Sequence, residues 1–312
     1  MNHPAPIAKF AHPRITAKGE PRASVDFRRL ETLWFNTGTL CNIACANCYI
    51  ESSPTNDRLA YLTPEEVAPF LDEIDALGLG PCEIGFTGGE PFMNPDMARL
   101  AELVLKRGHE VLILTNAMKP MMRPKMQDAL LALKDRFGDR LTLRISIDHH
   151  SRAVHDTERG GGSFDVTLEG VRWLAKRGFR LAAAGRAVFE EDEADARAGF
   201  ARLFAELGAE IPVDDPSRLV IFPEMDPDGD PPEITTACWG ILDKDPADVM
   251  CASSRMVVKR RGAARPVVLA CTLISYDEAF EMGATLEEAL KPVALNHKFC
   301  AQFCVLGGAS CS

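Results

Sequence analysis

Three cysteines fall within eight residues of the segment CNIACANCYI: Cys41, Cys45 and Cys48, spaced C-x3-C-x2-C. A structural zinc site closes its tetrahedron with four protein ligands, and disulfides consume cysteines in pairs. Three thiolates on one loop suit an iron–sulfur cube whose fourth iron stays open. An open iron can chelate a small molecule through an amine and a carboxylate. The spacing alone also admits a zinc loop with a distant fourth ligand, or redox thiols. Other groups able to do chemistry follow at intervals. The turn TGGEP brings Gly88, Gly89 and Glu90, Asn116 and then Ser146 and Asp148 close later apolar runs, and Arg159 lies in HDTERGGGSF.

The elements that must carry these residues alternate along the chain. ETLWFNT (31–37) reads as a strand feeding the cysteine loop. Thr63, Pro64 and Glu66 open a helix with an apolar stripe of Val67, Phe70, Leu71, Ile74 and Leu77, stopped by Gly78. A strand then runs into TGGEP, and Asn94 and Pro95 open a second helix ending near Gly108. Further strands are expected at 110–116, 140–148, 180–189 and 218–224, with helices at 125–137, 163–177 and from 190. Six strand–helix alternations imply an α/β fold with a parallel sheet and right-handed crossovers. In such a barrel chemistry gathers at the C-terminal strand ends, where the cysteine loop, the TGGEP turn, Asn116, Ser146 and Asp148 all lie.

Composition narrows the class. The 312 residues are 46% hydrophobic with net charge −10, which supports a full core and argues against nucleic acid or an anionic membrane as main partner. The first residues have no apolar h-region, and no run approaches a membrane span of about 18 residues, so a cytoplasmic location is expected. Ten cysteines in a reducing compartment read as metal or redox chemistry. Some residues have plainer readings. Cys82 reads as a buried small hydrophobe, and Asp148 and Asn116 can each fix a turn. Arg159 can be a surface arginine, and of His149 and His150, on alternate faces, at most one would reach a site.

C-x3-C-x2-C on the first loop, GGEP after the next strand and SID at a later strand end together resemble the radical S-adenosylmethionine (SAM) superfamily over residues 31–225. The resemblance implies a partial (β/α)6 TIM-like barrel. It also implies that Cys41, Cys45 and Cys48 ligate a [4Fe–4S] cluster that reduces SAM to methionine and a hydrogen-abstracting 5′-deoxyadenosyl radical. Gly88, Gly89 and Glu90 would bind the methionyl amine, Ser146 and Asp148 the ribose, and Arg159 the methionyl carboxylate, with Asn116 beside them. An aromatic residue usually precedes the third cysteine of the family, and here that position is Asn47, which bears on adenine stacking.

Residues 1–30 form an N-terminal extension, and from 226 the chain turns Pro/Asp/Gly-rich and then cysteine-rich, with a hairpin expected in RMVVK and RPVVLA and a helix at 286–292. This tail is similar to SPASM/Twitch extensions. That similarity implies one auxiliary [4Fe–4S] cluster on Cys251, Cys271, Cys300 and Cys304, with Cys311 as substitute and Cys238 as an outlying candidate; the alternative is structural zinc with His297. The expected activity is radical modification of a peptide or small molecule, a net oxidation, fed by a flavodoxin- or ferredoxin-type reductant. Neither a separate leader-binding domain nor a cobalamin domain is expected, and cobalamin-dependent methyl transfer with it. The contrasting class is a non-catalytic iron–sulfur or zinc protein, a carrier or scaffold.

Overall fold

The computed structural model describes residues 7–187 and 191–309. A two-residue strand β1 (Ser24–Val25) precedes the alternation β2 (Thr32–Asn36), α1 (Pro64–Ala76), β3 (Glu83–Thr87), α2 (Met97–Lys106), β4 (Glu110–Thr115) and α3 (Pro124–Phe137). It continues as β5 (Leu141–Ser146), α4 (Arg152–Arg159), α5 (Ser163–Lys176), β6 (Arg180–Arg186), α6 (Glu193–Leu207) and β7 (Leu219–Phe222). The last third holds α7 (Cys238–Ile241), β8 (Ser254–Val258), β9 (Val267–Leu269), β10 (Glu281–Gly283), α8 (Leu286–Ala289), β11 (Val293–Ala294) and a π-helical turn at Cys300–Val305.

Strands β2 to β7 pair in parallel, each with the next, so the expected partial (β/α)6 barrel is what forms. Their residues explain it: β2 is buried along its whole length and β6 almost so, as parallel strands covered on both faces must be. Helix α1 starts as its sequence dictates. The Glu66 carboxylate accepts the Thr63 N–H at 3.1 Å, Pro64 takes the first position, and Val67, Phe70, Leu71 and Ile74 are buried.

The expected hairpin is β8–β9, antiparallel. It does not stand apart. Strand β8 pairs in parallel with β2, Thr32 opposite Ser254, so one nine-stranded sheet runs β10-β9-β8-β2-β3-β4-β5-β6-β7. The N-terminal segment is laid over the same region. Ser24 pairs with Ala294, the Ala23 N–H donates to the Ile234 carbonyl at 2.9 Å, and buried Arg22 pairs with Glu233.

Three elements differ from expectation. Helix α4 was not foreseen. The helix at 286–292 is only α8, because Pro292 disfavours a helical Lys291. Strand β6 ends at Arg186, and residues 188 and 189 of the expected strand lie outside the described residues. Among the described residues no helix is long and apolar enough to cross a membrane.

Candidate functional site

The six strand ends open onto one cavity. Every barrel residue expected at a site lines it except Glu90. The cysteine loop leaves β2 and forms one wall. It is held in place from the side by α4. The Ala46 N–H donates to the Glu158 carbonyl at 2.8 Å, and Asn47 Nδ2 donates to Glu158 Oε2 at 2.9 Å. Asn47, where the family usually has an aromatic, is therefore a tie between loop and helix. Burial pushes the Cys41 thiol up to about 12 and raises Cys45, although the Arg159 guanidinium works the other way on Cys45. The cavity lining offers no fourth cysteine and no histidine.

The GGEP turn lies directly on this loop. The Gly89 N–H donates to Gly38 O at 2.8 Å and the Glu90 N–H to Leu40 O at 3.2 Å. Those donors are spent, so the turn can offer carbonyl oxygens to a ligand, which are acceptors fit for an ammonium. A Cβ on Gly89 would sit 2.2 Å from Leu40 O, and Gly88 has φ +142 with Gly38 O 2.4 Å from its would-be Cβ. Gly89→Ala must displace the backbone just before Cys41. It is expected to cost about 1–3 kcal/mol and lower the iron retained per chain. Gly161→Ala, with nothing within 4 Å, is the matched control and should change neither calorimetric stability nor iron content.

Glu90 lies beneath the cavity. Its carboxylate accepts Phe92 N–H at 3.1 Å, Thr115 Oγ1–H at 2.9 Å and Asn116 N–H at 2.8 Å. The acid expected at a ligand's amine instead fastens the turn to the end of β4. Burial raises it to about 7 despite these three donors. Asn116 does both things open to it. It lines the cavity, its Oδ1 accepts the Met118 N–H at 3.0 Å, and its Nδ2 donates to Asn42 Oδ1 at 2.9 Å.

Ser146 ends β5 at the cavity wall. Asp148 and Arg159, expected at different parts of one ligand, bind each other: Arg159 Nε to Oδ2 at 2.9 Å and Nη2 to Oδ1 at 2.8 Å. Burial alone would raise Asp148, but the Arg159 pair outweighs it and holds the carboxyl below its ordinary range. Two further residues went unnoticed in the sequence. Arg186 ends β6, is buried, donates to Asn47 O at 2.7 Å and lies over the Tyr49 ring at 5.0 Å. Its strand-end position was the available signal. Tyr49 had only its place after Cys48. It bonds Pro223 O at 3.1 Å and meets Phe222 and Phe303 edge-on, so the tail's π-helical turn closes the side where β7 has no further neighbour.

The second cysteine set also converges. Cys251, Cys271, Cys300 and Cys304 line one small apolar cavity. Leu273 lines this cavity and the larger one. Burial raises Cys251 to about 12 and Cys300 to about 11. Cys238 lies elsewhere, its sulfur taking the Thr235 N–H at 3.3 Å, and Cys311 lies outside the described residues. His297 Nδ1 accepts the Phe299 N–H at 3.1 Å, so the neutral ring keeps its proton on Nε2 and has no lone pair for zinc.

Among the described residues the compact ligand group is His149, His150 and Glu191, with ligand atoms within 4.8 Å of one another. The two rings stack at 4.1 Å and both turn to Glu191, rather than to opposite faces. His149 Nδ1 accepts the Ser151 N–H at 2.9 Å, so its Nε2–H is a donor to Glu191 and cannot ligate. The group ties the end of the β5 strand to the start of α6.

Comparison with known proteins agrees with this geometry. The antilisterial bacteriocin subtilosin biosynthesis protein AlbA of Bacillus subtilis is 33% identical over 49% of this chain and 32% of its own length. Mycofactocin maturase MftC of Mycolicibacterium smegmatis is 28% identical over 55% of this chain and 41% of its own. The chain thus matches less than half the length of either relative. The fold resembles that of anSMEcpe solved with AdoMet and the Cp18Cys peptide, with TM-score 0.59, 15% identity, and 87% of this chain and 82% of that one covered. The family model described as the Radical SAM superfamily matches residues 35–197, just over half of the chain. On that match, and with three cysteines and the GGEP turn lining one cavity of a partial barrel, the chain belongs to the radical SAM superfamily.

Proposed function

We propose that the chain is a SAM-dependent radical enzyme acting on a peptide. The observation that carries this is the cavity wall of three cysteines with no fourth cysteine and no histidine, beside carbonyl-rich Gly88–Gly89. The donor set fits a [4Fe–4S] cube on Cys41, Cys45 and Cys48 with one iron left for SAM. A cluster of this kind supplies the electron that cleaves SAM and so starts hydrogen abstraction. The residues around it do the rest. The turn carbonyls receive the methionyl ammonium, Ser146 and Asn116 offer polar contacts, and Tyr49, Phe222 and Phe303 exclude water from the reacting centre. A low-potential flavodoxin- or ferredoxin-type protein supplies the electron.

The peptide reading rests on the relative named for bacteriocin biosynthesis, and on the peptide in the anSMEcpe structure. Equilibrium binding of SAM to anaerobically reconstituted protein tests the reading. Micromolar binding that needs the cluster supports it. A cluster-loaded chain with no measurable SAM binding is a carrier or scaffold instead.

The tail is proposed as SPASM/Twitch-like, with an auxiliary [4Fe–4S] cluster on Cys251, Cys271, Cys300 and Cys304. Their convergence on one cavity supports it. Two cubes hold about eight irons, so Cys271→Ser is expected to retain about four. Iron and sulfide analysis after anaerobic reconstitution checks this; a Cys271→Ser protein with undiminished iron would exclude that ligand.

A further inference from the structure

Arg255, in β8, is 1% exposed. Its Nε donates to Ala289 O at 2.9 Å, Nη1 to Cys251 O at 2.6 Å and Ser254 O at 2.7 Å, and Nη2 to Lys291 O at 3.2 Å. The guanidinium lies over the Phe27 ring at 4.9 Å. Four carbonyls satisfy its hydrogens, yet none carries a charge. No carboxylate pairs with it among the described residues, whereas the buried Arg22 and Arg159 each have one. The ionisable groups that bear on it are Cys251 and Cys271.

A buried cation without an anion is costly, and proteins pair such charges or place them beside metal centres. Two of the four cysteines that line the small cavity supply the nearest negative charge once they are thiolates. A four-thiolate iron–sulfur centre carries net negative charge in either redox state, and its potential follows net charge and surrounding groups.

We propose that Arg255 is the built-in counter-charge of the auxiliary cluster, a positioning residue that raises its reduction potential so that it accepts an electron readily. The proposal rests on the auxiliary-cluster reading above. The sign follows from Coulomb's law: a fixed positive charge stabilises the more negative, reduced centre. The hydrogen bond from Nη1 to Cys251 O adds a mechanical role, since it fixes the backbone of one ligand.

The test uses the full chain with Cys41, Cys45 and Cys48 all changed to Ala, so that only the auxiliary centre signals. Arg255, Arg255→Lys and Arg255→Met forms are reconstituted without oxygen. Their midpoint potentials are read by redox titration followed by electron paramagnetic resonance. Arg255→Met is expected to bind an electron at least tenfold more weakly, a fall of about 59 mV for a one-electron couple. Arg255→Lys keeps the charge and should stay near the parent potential. If Arg255→Met holds no iron, a Lys form at the parent potential still supports the counter-charge. A Met form at the parent potential overturns it, as does a Lys form that fails alongside Met, which would make the guanidinium a carbonyl clamp only. A parent chain that takes up no iron refutes the auxiliary cluster itself, and the assignment falls with it.

Discussion

Release of 5′-deoxyadenosine from SAM should vanish when Cys41, Cys45 and Cys48 are changed to Ala. These are the thiols that line the barrel cavity, and no histidine or further cysteine in that lining can replace them. Loss of one ligand already leaves two, too few for a cube whose fourth iron must stay open. The loop itself should persist. It is pinned through Ala46 and Asn47 to α4 and through the Cys41 N–H to Ser53 O at 3.0 Å, contacts that do not use the sulfurs. The loss is thus chemical rather than structural. The measurement is chromatographic, after dithionite and SAM are added anaerobically. Nucleoside still formed by the triple variant would place the cleavage chemistry elsewhere.

The largest stability effect is expected at the Asp148–Arg159 pair, whose side chains are 5% and 13% exposed. Arg159→Ala strands a buried carboxylate, which costs about 3–5 kcal/mol. Asp148→Asn added to Arg159→Ala should recover much of that loss. The pH dependence has a definite sign. With Arg159 present, burial raises Asp148 but the pair wins and the folded value lies below the ordinary 3.8. That contribution exists above the unfolded pKa and fades as pH falls through the folded one. Without Arg159, burial is opposed only by the charges of Arg186 and His155, so the folded value rises and protonation relieves the variant. The gap between wild type and Arg159→Ala therefore narrows on acidification below about pH 4–5. Chemical denaturation at pH 7 and pH 4 reads it. An equal gap at both would mean that Asp148 is not the group left stranded.

Much of this was legible from residue order. Six alternations, the TGGEP turn and clustered cysteines sufficed for the barrel and for the wall of its cavity. Helix α4 was not legible, because RAVHDTER has no apolar stripe; its buried side chains are His155 and Glu158. The GGEP resemblance points Glu90 at a ligand, whereas three donors hold its carboxylate under the turn. His149 and His150 sit past the end of β5, where strand alternation no longer governs direction. The hairpin β8–β9 was written locally in its own residues. Its pairing with β2 was not, since register between segments some 220 residues apart depends on packing that no short window contains.

That distant pairing orders events during synthesis. Strand β2 feeds the cysteine loop, and its second neighbour, β8, ends at Val258. At roughly 5–20 residues per second, β8 leaves the ribosome on the order of ten to forty seconds after β2. Through that interval β2 has one open edge, and three thiols hang from a strand that is half fenced. Until the late strand arrives, the sheet around the cysteine loop is incomplete. The cysteines that come first in the chain are finished among the last.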